Sequence, residues 1–418
     1  MTFRSNRLVH TVSFYLIFQG IKVATSIFLF LLLFQRLSVP EYAVYGIIQS
    51  LAMIASLLLT MNTEASAQKL YSKTKLRSTV NAVFALACLG LFATYTFIFV
   101  AAAELGLVTK LFSGENAVPK PFILFAYTCT FSYLNLAASI LNAQRNTADY
   151  GLVTSLPPAT SLLGCFLVET LSLDVVLVVI SLSNLFAISV VFLRNTSFLA
   201  PCAYSKKRLK FVFYYLFGYT SLSIPTLGAK YSVDLIARTF ILSNFGSTAV
   251  AALTFSSSLF SVVRSAEQAF FKAVTPIILA NSEINAEEDR QILRMVIFQS
   301  VITLTIFSLA VFWLPYVADF FEEKPSEIFV PLIYFLMSLI AVTSFFKNHI
   351  LAYIKRNLKY LRRYYGLTLA QHLFVILILC LLTLDVVEFL LLQIVAGLFH
   401  LIATLLVFRR LTYRNGNA

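Results

Sequence analysis

Residues 227–272 read LGAKYSVDLIARTFILSNFGSTAVAALTFSSSLFSVVRSAEQAFFK, and the rest of the chain is organised around them. The stretch is a hydrophobic hairpin turning at Asn244-Phe245-Gly246-Ser247-Thr248, and it carries charges where a bilayer disfavours them. Lys230, Asp234 and Arg238 stand at i, i+4 and i+8, which places them on one side of a helix. Beyond the turn, Arg264, Gln268 and Lys272 repeat that spacing, with Glu267 beside them. Ionisable side chains at bilayer depth are costly and normally face a bundle interior or a wet cavity on a transport path. Four cations stand against two anions here, the balance of a cationic cavity suited to an anionic passenger.

The composition agrees with a membrane setting. The 418 residues are 59% hydrophobic and 12% charged, with a mean hydropathy of +0.84; a soluble chain carries about 25% charged residues. Twelve apolar segments recur, at roughly 10–34, 42–62, 79–102, 121–142, 151–168, 174–193, 211–242, 250–279, 295–316, 331–350, 366–384 and 387–408, each near the ~20 residues that cross a bilayer as a helix. The seventh is long for one straight span, and Pro225 and Gly228 predict a kink or break inside it. The N-terminus runs from Arg4 and Arg7 directly into apolar sequence, which reads as an uncleaved first span. The sequence lacks a phosphate-loop motif, so ATP hydrolysis by this chain is not expected. No cofactor is implied, no Cys/His spacing resembles a metal site, and the scattered cysteines predict no disulfide.

Lysine and arginine set the orientation. One side collects 22 of them: Arg4 and Arg7; Lys69, Lys73, Lys75 and Arg77; Arg145; Arg194, Lys206, Lys207, Arg208 and Lys210; Arg290 and Arg294; Lys355, Arg356, Lys359, Arg362 and Arg363; Arg409, Arg410 and Arg414. The other side collects 4: Arg36, Lys110, Lys120 and Lys324. This alternation supports twelve spans and predicts both termini in the cytoplasm. It also assigns most of the +13 net charge to topology, so nucleic acid is not an expected partner. The outer loops are short and acidic, too small to fold as catalytic domains. The longest inner loop, about 194–210, falls at mid-chain and divides the protein into lobes 1–205 and 206–418, six spans each. Leu37-Ser38 with Ala43-Val44-Tyr45, against Leu242-Ser243 with Ala249-Val250-Ala251, is a weak internal repeat of those halves. The expected fold class is therefore an all-α polytopic membrane protein, with twelve transmembrane helices in two six-helix halves around a central cavity, the plan of an alternating-access carrier.

The segment Arg36-Leu-Ser-Val-Pro-Glu-Tyr-Ala-Val-Tyr-Gly-Ile-Ile-Gln-Ser50 resembles the polysaccharide repeat-unit flippases (O-antigen and capsule, Wzx type) of the MATE/MOP exporter superfamily. These commonly read L-S-x-x-x-Y-G-x-Y at the first outer turn; Ala43 stands where glycine is usual. Tyr231-Ser-Val-Asp234, Phe245-Gly246, a span ending near Pro276 and the Gln144-Arg145 turn are similar to further parts of that family. The resemblance covers nearly the whole chain. It implies a carrier in the bacterial cytoplasmic (inner) membrane that moves undecaprenyl-diphosphate-linked oligosaccharide from the inner to the outer leaflet. It also implies working contact with polysaccharide polymerase and chain-length machinery.

That cargo fits the charges. A carrier must replace water around a diphosphate and several sugars across ~30 Å of hydrocarbon. Arg238 and Arg264 are the foremost candidates for a bidentate diphosphate clamp, followed by Lys230 and Lys272. Lys22 either joins them from the first half or snorkels to the inner interface. Tyr215, Tyr219, Tyr231 and Gln268 are candidate sugar contacts, with Asn135, Asn142 and Asn184 as further polar positions at depth. Asp234 and Glu267 either pair with the cations or take up a proton or sodium ion as energy input. His372 and His400 read as hydrogen-bonding residues between packed helices.

Three alternatives compete. A drug exporter, or an exporter of another lipid-linked precursor, shares the superfamily, but a drug-cation cavity favours carboxylates. A membrane glycan polymerase needs a large outer loop with catalytic residues, and the loops near 103–120 and 315–331 are small. A scaffolding protein leaves the buried charges without a purpose.

Overall fold

A computed structural model describes residues 2–60, 77–112, 118–144, 146–194, 206–280, 336, 339–340 and 358–415. The ninth and tenth expected spans lie almost wholly outside the described residues. The described residues are helical, with no strand among them. The helices are α1 (Thr2–Arg36), α2 (Val39–Thr60), α3 (Arg77–Glu104), the single turn α4 (Leu107–Lys110), α5 (Pro121–Ala143), α6 (Thr147–Leu167), α7 (Leu173–Arg194), α8 (Lys206–Ala280), α9 (Leu358–Leu381) and α10 (Val386–Asn415). Eight stretches among the described residues are long and apolar enough to cross a membrane. The expected fifth and sixth spans extend to Thr147–Leu167 and Leu173–Arg194, so neither is short.

The chain falls into two compact units, Met1–Leu235 and Ile236–Ala418. In the first, α2 is the central helix. Tyr42, Ala43, Val44, Ile47, Ile48, Ala52 and Leu59 are all buried on it. α2 packs on α5 and α3, α1 on α6, and α7 on both α5 and α6. Backbones come close where side chains are small, the usual basis of helix association without a hydrophobic drive between helices. A Cβ on Gly151 of α6 would fall within the ring of Phe18 on α1, and one on Gly164 would meet Val179 of α7 at 2.7 Å. Buried hydroxyls turn back to their own helices: Ser132 donates to the Thr128 carbonyl at 2.6 Å, Ser155 to Gly151 at 2.7 Å and Ser181 to Leu177 at 2.6 Å. This satisfies them where there is no water to do so. Phe97, Phe122 and Leu193 are more than 70% exposed, as lipid-facing residues are.

The α1–α2 turn is a capping box. Ser38 receives the start of α2; the Glu41 carboxylate accepts from the Ser38 backbone N–H at 3.0 Å and from its hydroxyl at 2.8 Å, while the Glu41 N–H donates to Ser38 Oγ at 3.4 Å. Leu37 and Tyr42, flanking the box, are each only 1% exposed, and Tyr42 meets Phe34 edge-on at 5.2 Å. Glu41 also accepts from the Leu173 N–H at the start of α7, at 3.2 Å. Arg36 donates to the Val168 carbonyl at 2.7 Å, placing a cation at the C-terminal end of α6. The residues that carry the family resemblance thus fasten four helix ends together.

At the other end of α6, Asn146 is the N-cap, accepting from the Asp149 N–H at 3.3 Å. Its amide donates to Asp149 Oδ2 at 2.6 Å, and Arg194 from the end of α7 meets Asp149 Oδ1 at 3.0 Å.

In the second unit α9 packs on α10. His400 is buried there, with Nδ1 2.6 Å from Gln371 Oε1 and Nε2 3.1 Å from the Thr368 hydroxyl, and Tyr364 lies 5.2 Å from its ring. His400 is a hydrogen-bonding residue between packed helices, as its position in a span implied.

Candidate functional site: the hairpin of α8

α8 is 75 residues long, and its helical geometry fails at one residue inside it, Gly246 (φ 81°, ψ 177°). That backbone region is essentially confined to glycine, and it makes the hairpin turn expected at 244–248. The arms are 206–245 and 247–280. Of the kink or break expected at Pro225 and Gly228, a break is ruled out, since the dihedrals stay helical through both. Pro225 is exposed, so its ring has room on the helix surface. At Gly228 a Cβ would make ordinary contact with Leu57 of α2, at 3.7 Å.

The cations of the first arm have distinct surroundings. Arg238 is 6% exposed. Its Nη1 donates to Thr254 Oγ1 at 2.6 Å and its Nη2 to Ser257 Oγ at 2.8 Å, both on the second arm. Lys230 is half-buried, with Nζ 5.9 Å from the centroid of the Tyr231 ring. Asp234 is exposed. Lys22, on α1, is half-buried. Asn184 is buried on α7, and Asn142 is buried at the end of α5. Arg264, Glu267, Gln268 and Lys272 lie on the helical second arm and Tyr215 and Tyr219 on the first; their side chains lie outside the described residues.

The site residues that the structure brings together are therefore Arg238 and two hydroxyls that carried no weight in the sequence. Thr254 and Ser257 are one turn apart, on the side of the helix that continues through Ser258 and Ser261 at i, i+3, i+4 and i+7. The same register reaches Arg264, Gln268 and Lys272 within the second arm. A hydroxyl stripe running into cations was the available signal. Chemically, Arg238 is a buried guanidinium oriented by two hydroxyls of the second arm. Electrostatic attraction for an anion is stronger there than in water.

No protein-family model matches the sequence, and no curated protein matches it. Solved structures do. An inward-facing multidrug resistance MATE family transporter of the MOP superfamily superposes with a TM-score of 0.66 at 15% identity, covering 96% of each chain. A MOP superfamily transporter from Pyrococcus furiosus, described as having a binding pocket of reverse polarity that suggests a different function, superposes with a TM-score of 0.70 at 13% identity, covering 96% of this chain and 94% of that one. The MATE multidrug transporter DinF-BH gives a TM-score of 0.66 at 12% identity, covering 96% of this chain and 95% of that one. The protein thus has the fold of the MATE transporters of the MOP superfamily: all-α, polytopic and of the twelve-helix class. At these identities the likeness extends to the fold alone.

Proposed function

We propose that this protein is a flippase that moves undecaprenyl-diphosphate-linked oligosaccharide repeat units from the cytoplasmic to the periplasmic leaflet of the bacterial inner membrane, by alternating access around a cationic central cavity. The observation that carries this reading is Arg238, a guanidinium buried within a membrane span and held by two neutral hydroxyls. The excess of Lys230, Arg264 and Lys272 over Asp234 and Glu267 in the same hairpin supports it, as does a fold shared with transporters. The fold does not choose the cargo, because its bearers include multidrug transporters and one whose pocket is described as reversed in polarity. The excess of cations in the hairpin supports an anionic cargo. A bidentate fork suits a phosphate group, whereas an organic cation is repelled by a cationic hairpin. In this reading Lys22, Tyr215, Tyr219, Tyr231 and Gln268 serve the cargo as well. Asp234 and Glu267 either pair with the cations or take up a proton or sodium ion as energy input, both termini are cytoplasmic, and polymerase and chain-length machinery receive the product.

The fold neighbours favour a second reading, a multidrug exporter. Deleting the gene separates the two. A flippase defect accumulates single lipid-linked repeat units on the inner leaflet, with surface glycan lost. A polymerase defect leaves single units displayed outside. Unchanged surface glycan together with new sensitivity to cationic drugs establishes the exporter instead.

A further inference from the structure

We propose that Thr254 and Ser257 are positioning residues that fix the plane of the Arg238 guanidinium for a phosphate oxyanion. This rests on the cargo reading above and adds to it the means by which the cation is held.

The geometry is specific. Nη1 and Nη2 each donate to a different hydroxyl, at 2.6 and 2.8 Å, and both acceptors sit on one arm of the hairpin. They are three residues apart, so their separation is about one helical turn, fixed by the helix backbone. Two anchors on one rigid element stop a planar group from turning; one would leave it free to rotate. The Ser257 hydroxyl donates its hydrogen to the Thr254 carbonyl at 3.0 Å, so its oxygen faces Arg238 only as an acceptor. Thr254 is fully buried and Arg238 nearly so, which removes competing water.

The consequence for binding follows from entropy. A long side chain ordered in advance loses less freedom when the oxyanion arrives. A lysine could supply the charge, but it is a point charge without a plane to orient. The hydroxyls should therefore matter to an arginine at 238 and hardly matter to a lysine there.

The test uses the full-length protein in lipid nanodiscs, with farnesyl diphosphate as the probe, its affinity measured by calorimetry and folding followed by the thermal unfolding midpoint. Removing both hydroxyls (Thr254→Val with Ser257→Ala) is expected to weaken binding about tenfold in protein that remains folded at the assay temperature, on the scale of a hydrogen bond to a charged group. Thr254→Ser with Ser257→Thr keeps both acceptors and is expected to bind within about threefold of the native protein. In an Arg238→Lys background, which already binds more weakly, removing the hydroxyls is expected to cost less than about threefold more. If the double variant unfolds early, Ser257→Ala alone, at a half-buried position, carries the same comparison. Native affinity after loss of the hydroxyls, or an equal loss in the lysine background, overturns the positioning role while leaving Arg238 as a cargo contact. Native affinity in Arg238→Ala sinks the cargo reading itself, and the positioning role with it.

Discussion

At the scale of single residues, the proposed function rests most heavily on the buried Arg238. Arg238→Ala is expected to abolish surface glycan with the protein present at its native level, measured by immunoblot beside a glycan stain. Arg238→Lys is expected to retain part of the export, because the charge stays while the two-pronged donor is lost. Normal glycan in Arg238→Ala would remove the residue from the transport path. A second residue-scale expectation concerns the cap of α2. Ser38→Ala removes the hydroxyl of the capping box and is expected to destabilise the protein by about 1 kcal/mol, read as a lower unfolding midpoint. The Ser38 and Glu41 pattern was visible in the sequence, but there it stood only as a family signature. Its physical content, a box that also holds the start of α7 through Leu173, needed coordinates because the partner lies 132 residues away.

At the scale of the element, the α8 hairpin was legible in part. The turn could be placed because Asn-Phe-Gly-Ser-Thr interrupts two apolar runs, and Gly246 supplies the backbone angle that only glycine adopts cheaply. Gly246→Ala meets no neighbouring atom, so its cost is purely that of the backbone, about 1–3 kcal/mol, and is expected as reduced thermal stability. The helix does not break at Pro225. Proline removes one backbone donor and crowds one carbonyl, yet an exposed position on a long helix accommodates both without leaving helical angles. The bond partners of Arg238 were hidden for another reason. Spacing by fours groups Lys230, Asp234 and Arg238 on one side, but it does not say what covers that side at each depth. Coordinates place Arg238 under the second arm and leave Asp234 exposed. Close helix approach was equally invisible to hydropathy. Gly151→Ala drives a methyl group into the Phe18 ring and is expected to cost about 1–3 kcal/mol, with Phe18→Leu restoring part of it. An equal unfolding midpoint for Gly151→Ala would show that α1 and α6 can separate freely.

At the scale of the whole molecule, the fold class was the most legible feature, because twenty-residue apolar runs are a bilayer's own requirement on a helix. The orientation rests on 22 cations against 4. Cysteine labelling at positions 7 and 410 is expected to proceed from the cytoplasm and not from outside. Cargo is the least legible feature at this scale, since one transporter of the same fold is described as a multidrug resistance transporter and another as having a pocket of reversed polarity that suggests a different function.

The most direct test is lipid translocation in proteoliposomes containing only this protein. A fluorescent polyprenyl-diphosphate oligosaccharide is placed in both leaflets, and the fraction reachable by an external quencher is followed with time. The native protein is expected to carry inner-leaflet lipid to the outside, the Arg238→Ala protein to do so no faster than empty vesicles, and a polyprenol without the diphosphate to stay where it was placed. Equal translocation by the native and Arg238→Ala proteins, or none by the native protein under an imposed proton or sodium gradient, would contradict a cationic hairpin that carries a lipid's phosphate head across the membrane.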